Sequence, residues 1–108
     1  MYDGYHHIDT IKEPSADTVF EPADVVGPVC ETGDTFAKAR DLPPVAPSDL
    51  VAFRSAGAYG AVMASTYNTR PLVPEVLVNG DQYAVIRKRP SLEAVLDLDT
   101  VPTWLDNK

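Results

Sequence analysis

Ten prolines are spread along 108 residues, and they limit the chain more than any other feature. Proline has no backbone N–H and its ring clashes with the preceding turn, so an interior proline breaks a helix. A chain interrupted this often is held to short strands and irregular connections. Hydrophobic residues make up 44% and charged residues 23%, the make-up of an ordinary globular protein. The length suits one domain, not two.

Short apolar runs lie between the prolines. Alternation starts at Phe20 and continues through Ala23-Asp24-Val25-Val26 to Gly27-Pro28, which ends a first strand. Phe36 to Arg40 suits one helical turn before Pro43-Pro44 stops it. Pro47-Ser48-Asp49 is a turn feeding a second strand over residues 50–54. Asn79-Gly80, set between two β-branched runs over 75–86, predicts a type I′ hairpin in which both central residues need positive φ. Ser91 caps a short helix over 92–98, and Glu93 complements its dipole. Residues 1–20 lack periodic order and need something else to lean on, and residues 91–108 form the short helix and a tail carrying Trp104. The expected architecture is one mainly β domain over 1–108. It is a small antiparallel Greek-key or barrel-like β-domain with one or two short helices.

Several function classes fall away. The formal charge is −7, and phosphate backbones are bound through clustered Lys and Arg. The one basic run, Arg87-Lys88-Arg89, reads as a solvated strand end, so no nucleic-acid partner is expected. No apolar stretch approaches the length that spans a bilayer, and Met1-Tyr2-Asp3-Gly4 does not resemble the start of a signal peptide. Cys30 is the single cysteine, so no internal disulfide forms, and a lone thiol suits a reducing cytoplasm. His6 and His7 are adjacent, and neighbours on an extended strand point to opposite faces, so no metal site is expected.

Two constellations could carry chemistry. In Gly27-Pro28-Val29-Cys30-Glu31-Thr32-Gly33-Asp34 a thiol stands beside two carboxylates at a strand end. Cys30 there is either a reactive group or a small buried apolar residue, with Glu31 and Asp34 as turn formers. In Gly57-Ala58-Tyr59-Gly60 the small residues allow unusual backbone angles and close approach of another group. The Tyr59 phenol is either a donor to an anion such as a phosphate or a buried group with a backbone partner.

Both constellations, with Tyr2-Asp3-Gly4-Tyr5-His6-His7-Ile8, Tyr67-Asn68, Arg70-Pro71 and Trp104-Leu105, occur in an order and spacing that resembles the C-terminal part of the diaminopimelate decarboxylases. The resemblance covers nearly the whole chain. It implies a lyase that uses pyridoxal 5'-phosphate, carried on a lysine of a (β/α)8 barrel that would precede residues 1–20 and is absent from these residues. It also implies a homodimer whose active sites take residues from both subunits. By position, Cys30 is similar to the proton donor that acts after decarboxylation. Glu31 is similar to the carboxylate that reads the distal end of the amino-acid substrate. Tyr59 is similar to a phenol contacting cofactor phosphate and substrate, and Tyr2 to a substrate-contacting tyrosine. The ornithine- and arginine-type relatives usually carry Cys-Asp at 30–31, so Cys30-Glu31 favours diaminopimelate. The 108 residues alone are expected to be inactive, and a free-standing dimerisation or interaction module is the competing reading.

Overall fold

The computed structural model describes residues 4–105. Contacts gather the chain into two compact units, Met1–Ala64 and Ser65–Lys108. The first holds β1 (Ile8–Thr10), β2 (Glu21–Val26), β3 (Thr35–Leu42) and β4 (Val51–Phe53). β1 pairs antiparallel with β4, placing Ile8 opposite Phe53. β2 pairs antiparallel with β3, placing Glu21 opposite Leu42. The architecture is mainly β with short antiparallel sheets and small helices. Its strands pair as separate two-stranded ribbons among the described residues.

The helical turn expected over Phe36–Arg40 is not formed; those residues lie within β3. Ala37, Lys38 and Arg40 favour helix locally, but that preference amounts to tenths of a kilocalorie per residue (about 0.7 kcal/mol at most). Pairing along β2 outweighs it. The price is a bulge. The register slips between Ala23 and Val25, Ala39 takes φ 46°, and its N–H donates to Asp24 Oδ1 at 2.8 Å. Arg40 follows directly. Its guanidinium lies 4.3 Å above the centre of the Tyr5 ring and donates to the His6 carbonyl at 2.9 Å.

The turn at Pro47-Ser48-Asp49 forms as expected. Asp49 N–H donates to the Ala46 carbonyl at 3.0 Å, the Asp49 carboxylate accepts from Ala46 N–H at 2.7 Å, and Ser48 takes φ 79°. Proline first and positive φ second is the type II pattern.

The second unit carries β5 (Glu75–Asn79) and β6 (Gln82–Arg87). The hairpin stands where the sequence places it, but it turns one residue later. Asn79 pairs with Gln82, so Gly80-Asp81 makes the connection. Gly80 has φ 61°, and neither Asn79 nor Asp81 joins it at positive φ. Glycine first with a negative φ second is the type II′ pattern. Asn79 stays in the ladder because glycine alone enters the left-handed region without a Cβ penalty. A Glu75–Arg87 ion pair of 2.6 Å closes the open end of the ribbon.

Helix α1 spans Leu92–Leu96, two residues short of the expected end. The Ser91 hydroxyl accepts from Ala94 N–H at 3.1 Å, as an N-cap should. The Glu93 carboxyl is held below its ordinary range, first by its own backbone N–H and then by the Ser91 hydroxyl. This help to the helix is present at neutral pH and disappears as pH falls through the lowered value.

Little of the chain is buried. Among the described residues only Ile8 and Ala37 fall below a tenth of full exposure, and no large side chain is fully enclosed. The Phe36 and Phe53 rings pack 4.7 Å apart between β3 and β4. The accessible surface is 9202 Å². A compact chain of this size would expose about 5,900 Å², and even two separate compact units about 7,000 Å². Val76, Leu77, Val78, Tyr83, Val85 and Ile86 leave both faces of the β5–β6 ribbon exposed.

Candidate functional site

The connection from β2 to β3 is built around Asp34. β2 ends at Val26, and a single 3-10 turn over Thr32–Asp34 returns the chain to β3. The Asp34 carbonyl accepts from Gly27 N–H at 2.7 Å, and its own N–H donates to the Glu31 carbonyl at 3.0 Å. Its carboxylate accepts from Val29 N–H at 2.8 Å. One residue therefore grips the loop at three places. With the interior of the loop taken by Asp34, Cys30 and Glu31 are left at the surface, and both are exposed. The Thr32 hydroxyl donates to Glu31 Oε1 at 3.3 Å. Burial of Cys30 as a small apolar residue, the competing expectation, is not what the fold does with it.

Sequence reasoning took Asp34 for a turn former and passed over Gly27. A Cβ at Gly27 would overlap the Asp34 carboxylate. The glycine is therefore required by a neighbour seven positions ahead, not by its own φ. Gly27→Ala should displace that carboxylate and forfeit its bond to Val29 N–H. Hydrogen bonds to charged groups contribute about 1.5–3 kcal/mol, so the Val29 amide should exchange at least about tenfold faster. An unchanged exchange rate would show that the loop does not depend on this contact.

Tyr59 lies beyond β4. The Arg54 N–H donates to the His7 carbonyl at 2.8 Å, continuing the β1–β4 ladder, and Ser55 then turns the chain at φ 53°. A wide turn over Gly57–Ala61 is closed by Ala61 N–H donating to the Ala56 carbonyl at 2.8 Å. The unusual backbone angle expected of the small residues falls on the tyrosine instead: Tyr59 takes φ 68°, ψ −32°, while Gly57 and Gly60 avoid the left-handed region. A bulky residue held there costs about 1–3 kcal/mol, and such strain gathers at functional sites. The side chain is 66% exposed, and a Cβ at Gly57 would meet open space.

Cys30 and Glu31 thus share one loop and Tyr59 occupies another, both within the Met1–Ala64 unit. Tyr2 lies outside the described residues. The two histidines are engaged separately: the His6 ring meets the Arg54 carbonyl at 3.1 Å, and the His7 ring packs edge-on against Tyr5 at 5.3 Å. Arg87, in the basic run, is tied to Glu75. No helix among the described residues is long and apolar enough to cross a membrane.

Residues 1–57 match the family described as pyridoxal-dependent decarboxylase, C-terminal sheet domain. The chain belongs to that family. The matched stretch contains the Asp34-braced loop and ends at Gly57, the first residue of the Tyr59 turn. This decarboxylase sheet domain is 53% identical to the diaminopimelate decarboxylase of Zymomonas mobilis over 97% of its own length and 24% of that relative's. Crystal structures named as diaminopimelate decarboxylase in complex with L-lysine resemble it closely. The Helicobacter pylori enzyme gives a TM-score of 0.77 at 46% identity, over 90% of this chain and 23% of that one. The M. jannaschii enzyme gives 0.84 at 34% identity, over 96% and 23%. The sheet domain spans about a quarter of the length of the relatives it matches.

Proposed function

We propose that this sheet domain works as the C-terminal part of a diaminopimelate decarboxylase, which converts meso-2,6-diaminopimelate to L-lysine and CO2. The observation that carries the reading is the 53% identity with the Zymomonas mobilis enzyme across nearly all of the chain. Residues 1–108 act as one domain following a (β/α)8 barrel in the same cytoplasmic enzyme, and the active site is completed by a second subunit.

The residue types suit the chemistry. Pyridoxal phosphate, when bound, supplies the electron sink that lets CO2 leave. The Cys30 thiol then returns a proton to the α-carbon, which requires an acid presented at an open surface and not buried in a core. Its loop position meets that requirement, since Asp34 spends its own carboxylate inside the loop and leaves Cys30 outside. Glu31 holds the distal amino group of the substrate, and Tyr2 contributes a further substrate contact. Tyr59 donates its phenol O–H to the cofactor phosphate. A neutral donor on an exposed, glycine-flanked turn with open space at Gly57 fits a phosphate oxygen. Glu31 also distinguishes this reading from an ornithine- or arginine-type decarboxylase. A carboxylate one methylene longer than aspartate changes which diamino acid fits, because it alters the span left for the substrate's distal group.

A chimera tests the proposal. Residues 1–108 replace the corresponding quarter of the Zymomonas mobilis enzyme, and lysine formation from diaminopimelate is measured beside ornithine and arginine decarboxylation. Activity on diaminopimelate is expected. A chimera that folds by near-ultraviolet circular dichroism and decarboxylates none of the three would overturn the catalytic reading and leave an interaction module. Preference for ornithine or arginine would overturn the substrate.

A further inference from the structure

The segment from the end of β4 through the Tyr59 turn contains two residues in the left-handed region, Ser55 at φ 53° and Tyr59 at φ 68°. Strained backbone persists only where its surroundings over-determine it. The point at which this segment leaves β4 is Arg54, and three bonds converge there from the residues around β1. The Arg54 N–H donates to the His7 carbonyl at 2.8 Å. Its Nε donates to Asp9 Oδ2 at 2.7 Å, with both side chains exposed, so solvent screens that pair and it adds little. Its carbonyl meets His6 Nδ1 at 3.1 Å.

The third contact is the informative one. A carbonyl has no proton to give, so His6 must carry its proton on Nδ1 and donate it. β-Pairing accounts for the His7 bond and brings His6 within reach of Arg54, but the ladder itself does not require the imidazole contact. The His6 residue is itself held from the other side. Its carbonyl accepts from the partly buried Arg40 at 2.9 Å, and the Arg40 guanidinium is stacked on Tyr5. Arg40 in turn follows the Asp24–Ala39 bulge of β3. A run of contacts thus leads from β3 through His6 to the root of the turn that carries Tyr59.

We propose that His6 is a positioning residue for Tyr59: its imidazole, steadied by Arg40, pins the Arg54 carbonyl and so sets the direction in which the Tyr59 turn leaves β4. The inference rests on the reading in which Tyr59 contacts the cofactor phosphate. His6 itself touches neither cofactor nor substrate. Without its N–H the Arg54 carbonyl turns to water, the strained segment relaxes, and the phenol loses its aim.

The experiment measures pyridoxal phosphate affinity by absorbance and fluorescence titration of the same chimera. His6→Ala should weaken binding about fivefold, the usual worth of one hydrogen bond. His6→Asn should restore most of it, because the asparagine amide places an N–H close to where Nδ1–H stood. Tyr59→Phe should weaken binding at least as much. The double variant His6→Ala/Tyr59→Phe should be no worse than Tyr59→Phe alone, since residues acting through one contact are not additive. Additive losses, or a loss in His6→Ala that asparagine does not repair, would reduce His6 to a general structural role and overturn the proposal. If Tyr59→Phe weakens binding while His6→Ala does not, only this inference falls. If Tyr59→Phe has no effect, the cofactor role of Tyr59 falls first and takes the inference with it.

Discussion

Replacing Cys30 by alanine in the chimera is expected to lower lysine formation by about a hundredfold or more, the usual loss when a positioned acid is removed. The variant should fold normally. Cys30 is exposed, and the loop around it is held by Asp34 through bonds to Gly27, Val29 and Glu31, none of which involves the thiol. The loss should therefore fall on turnover and leave cofactor affinity nearly unchanged, the reverse of the pattern expected for His6→Ala. Cys30→Ser separates acidity from shape: an alcohol fills the same space but gives up its proton far less readily, so it should resemble alanine more than cysteine. Turnover within about threefold of the parent in Cys30→Ala would be too small for a lost general acid, and the proton donor would have to be sought elsewhere.

The second large effect concerns the 108 residues on their own. Their surface exceeds that of two separate compact units by roughly 2,000 Å², more than twice the roughly 800 Å² that each partner gives to a standard protein–protein interface. Val62, Met63 and Tyr59 are exposed beside the proposed site, and Val19, Phe20 and Val26 around β2. The β5–β6 ribbon is apolar on both faces and, among the described residues, also leaves its outer backbone edges without a strand partner, a template for further strand addition. The isolated chain should consequently associate, reaching the mass of a dimer or more by about 100 μM in light scattering, as expected for interfaces of this area. It should bind a hydrophobic dye and form no lysine from diaminopimelate. A monomer at that concentration with no dye binding would mean that the exposed surface needs no cover. The barrel and second subunit would then have no structural call on it.

How much of this was legible depended on the range of the interaction concerned. The Pro47-Ser48-Asp49 turn, the Ser91 cap and the β5–β6 hairpin were all readable, because each is decided by residues within a few positions. The hairpin erred by one residue, since Asn79 could serve either as a turn residue or as the last rung of the ladder, and only the pairing with Gln82 chose. Phe36–Arg40 misled for the opposite reason: its local preference was real but weak, and the partner that overrode it lies at residues 21–26. In the candidate site, Cys30, Glu31 and Tyr59 stood out by residue type and by family resemblance. Asp34, Gly27 and His6 did not. Their roles lie in whom they touch, and a loop carboxylate, a glycine before proline and a histidine pair have many commoner uses.

By itself the sequence determined what each short segment can be: strands and turns cut short by proline, a capped final helix, and a thiol beside two carboxylates at a strand end. Those outcomes follow from steric and capping rules that act over one turn of chain. Tertiary structure alone decided that β3 is a strand, that Asp34 turns Cys30 outward, and that Tyr59 rather than a neighbouring glycine bears the left-handed angle. The strand and the Tyr59 angle need a contact from a distant segment, and the Asp34 loop a set of bonds within itself, to offset a local cost of a kilocalorie or so, about the scale of a single hydrogen bond. Such contacts exist only once the ribbons have paired.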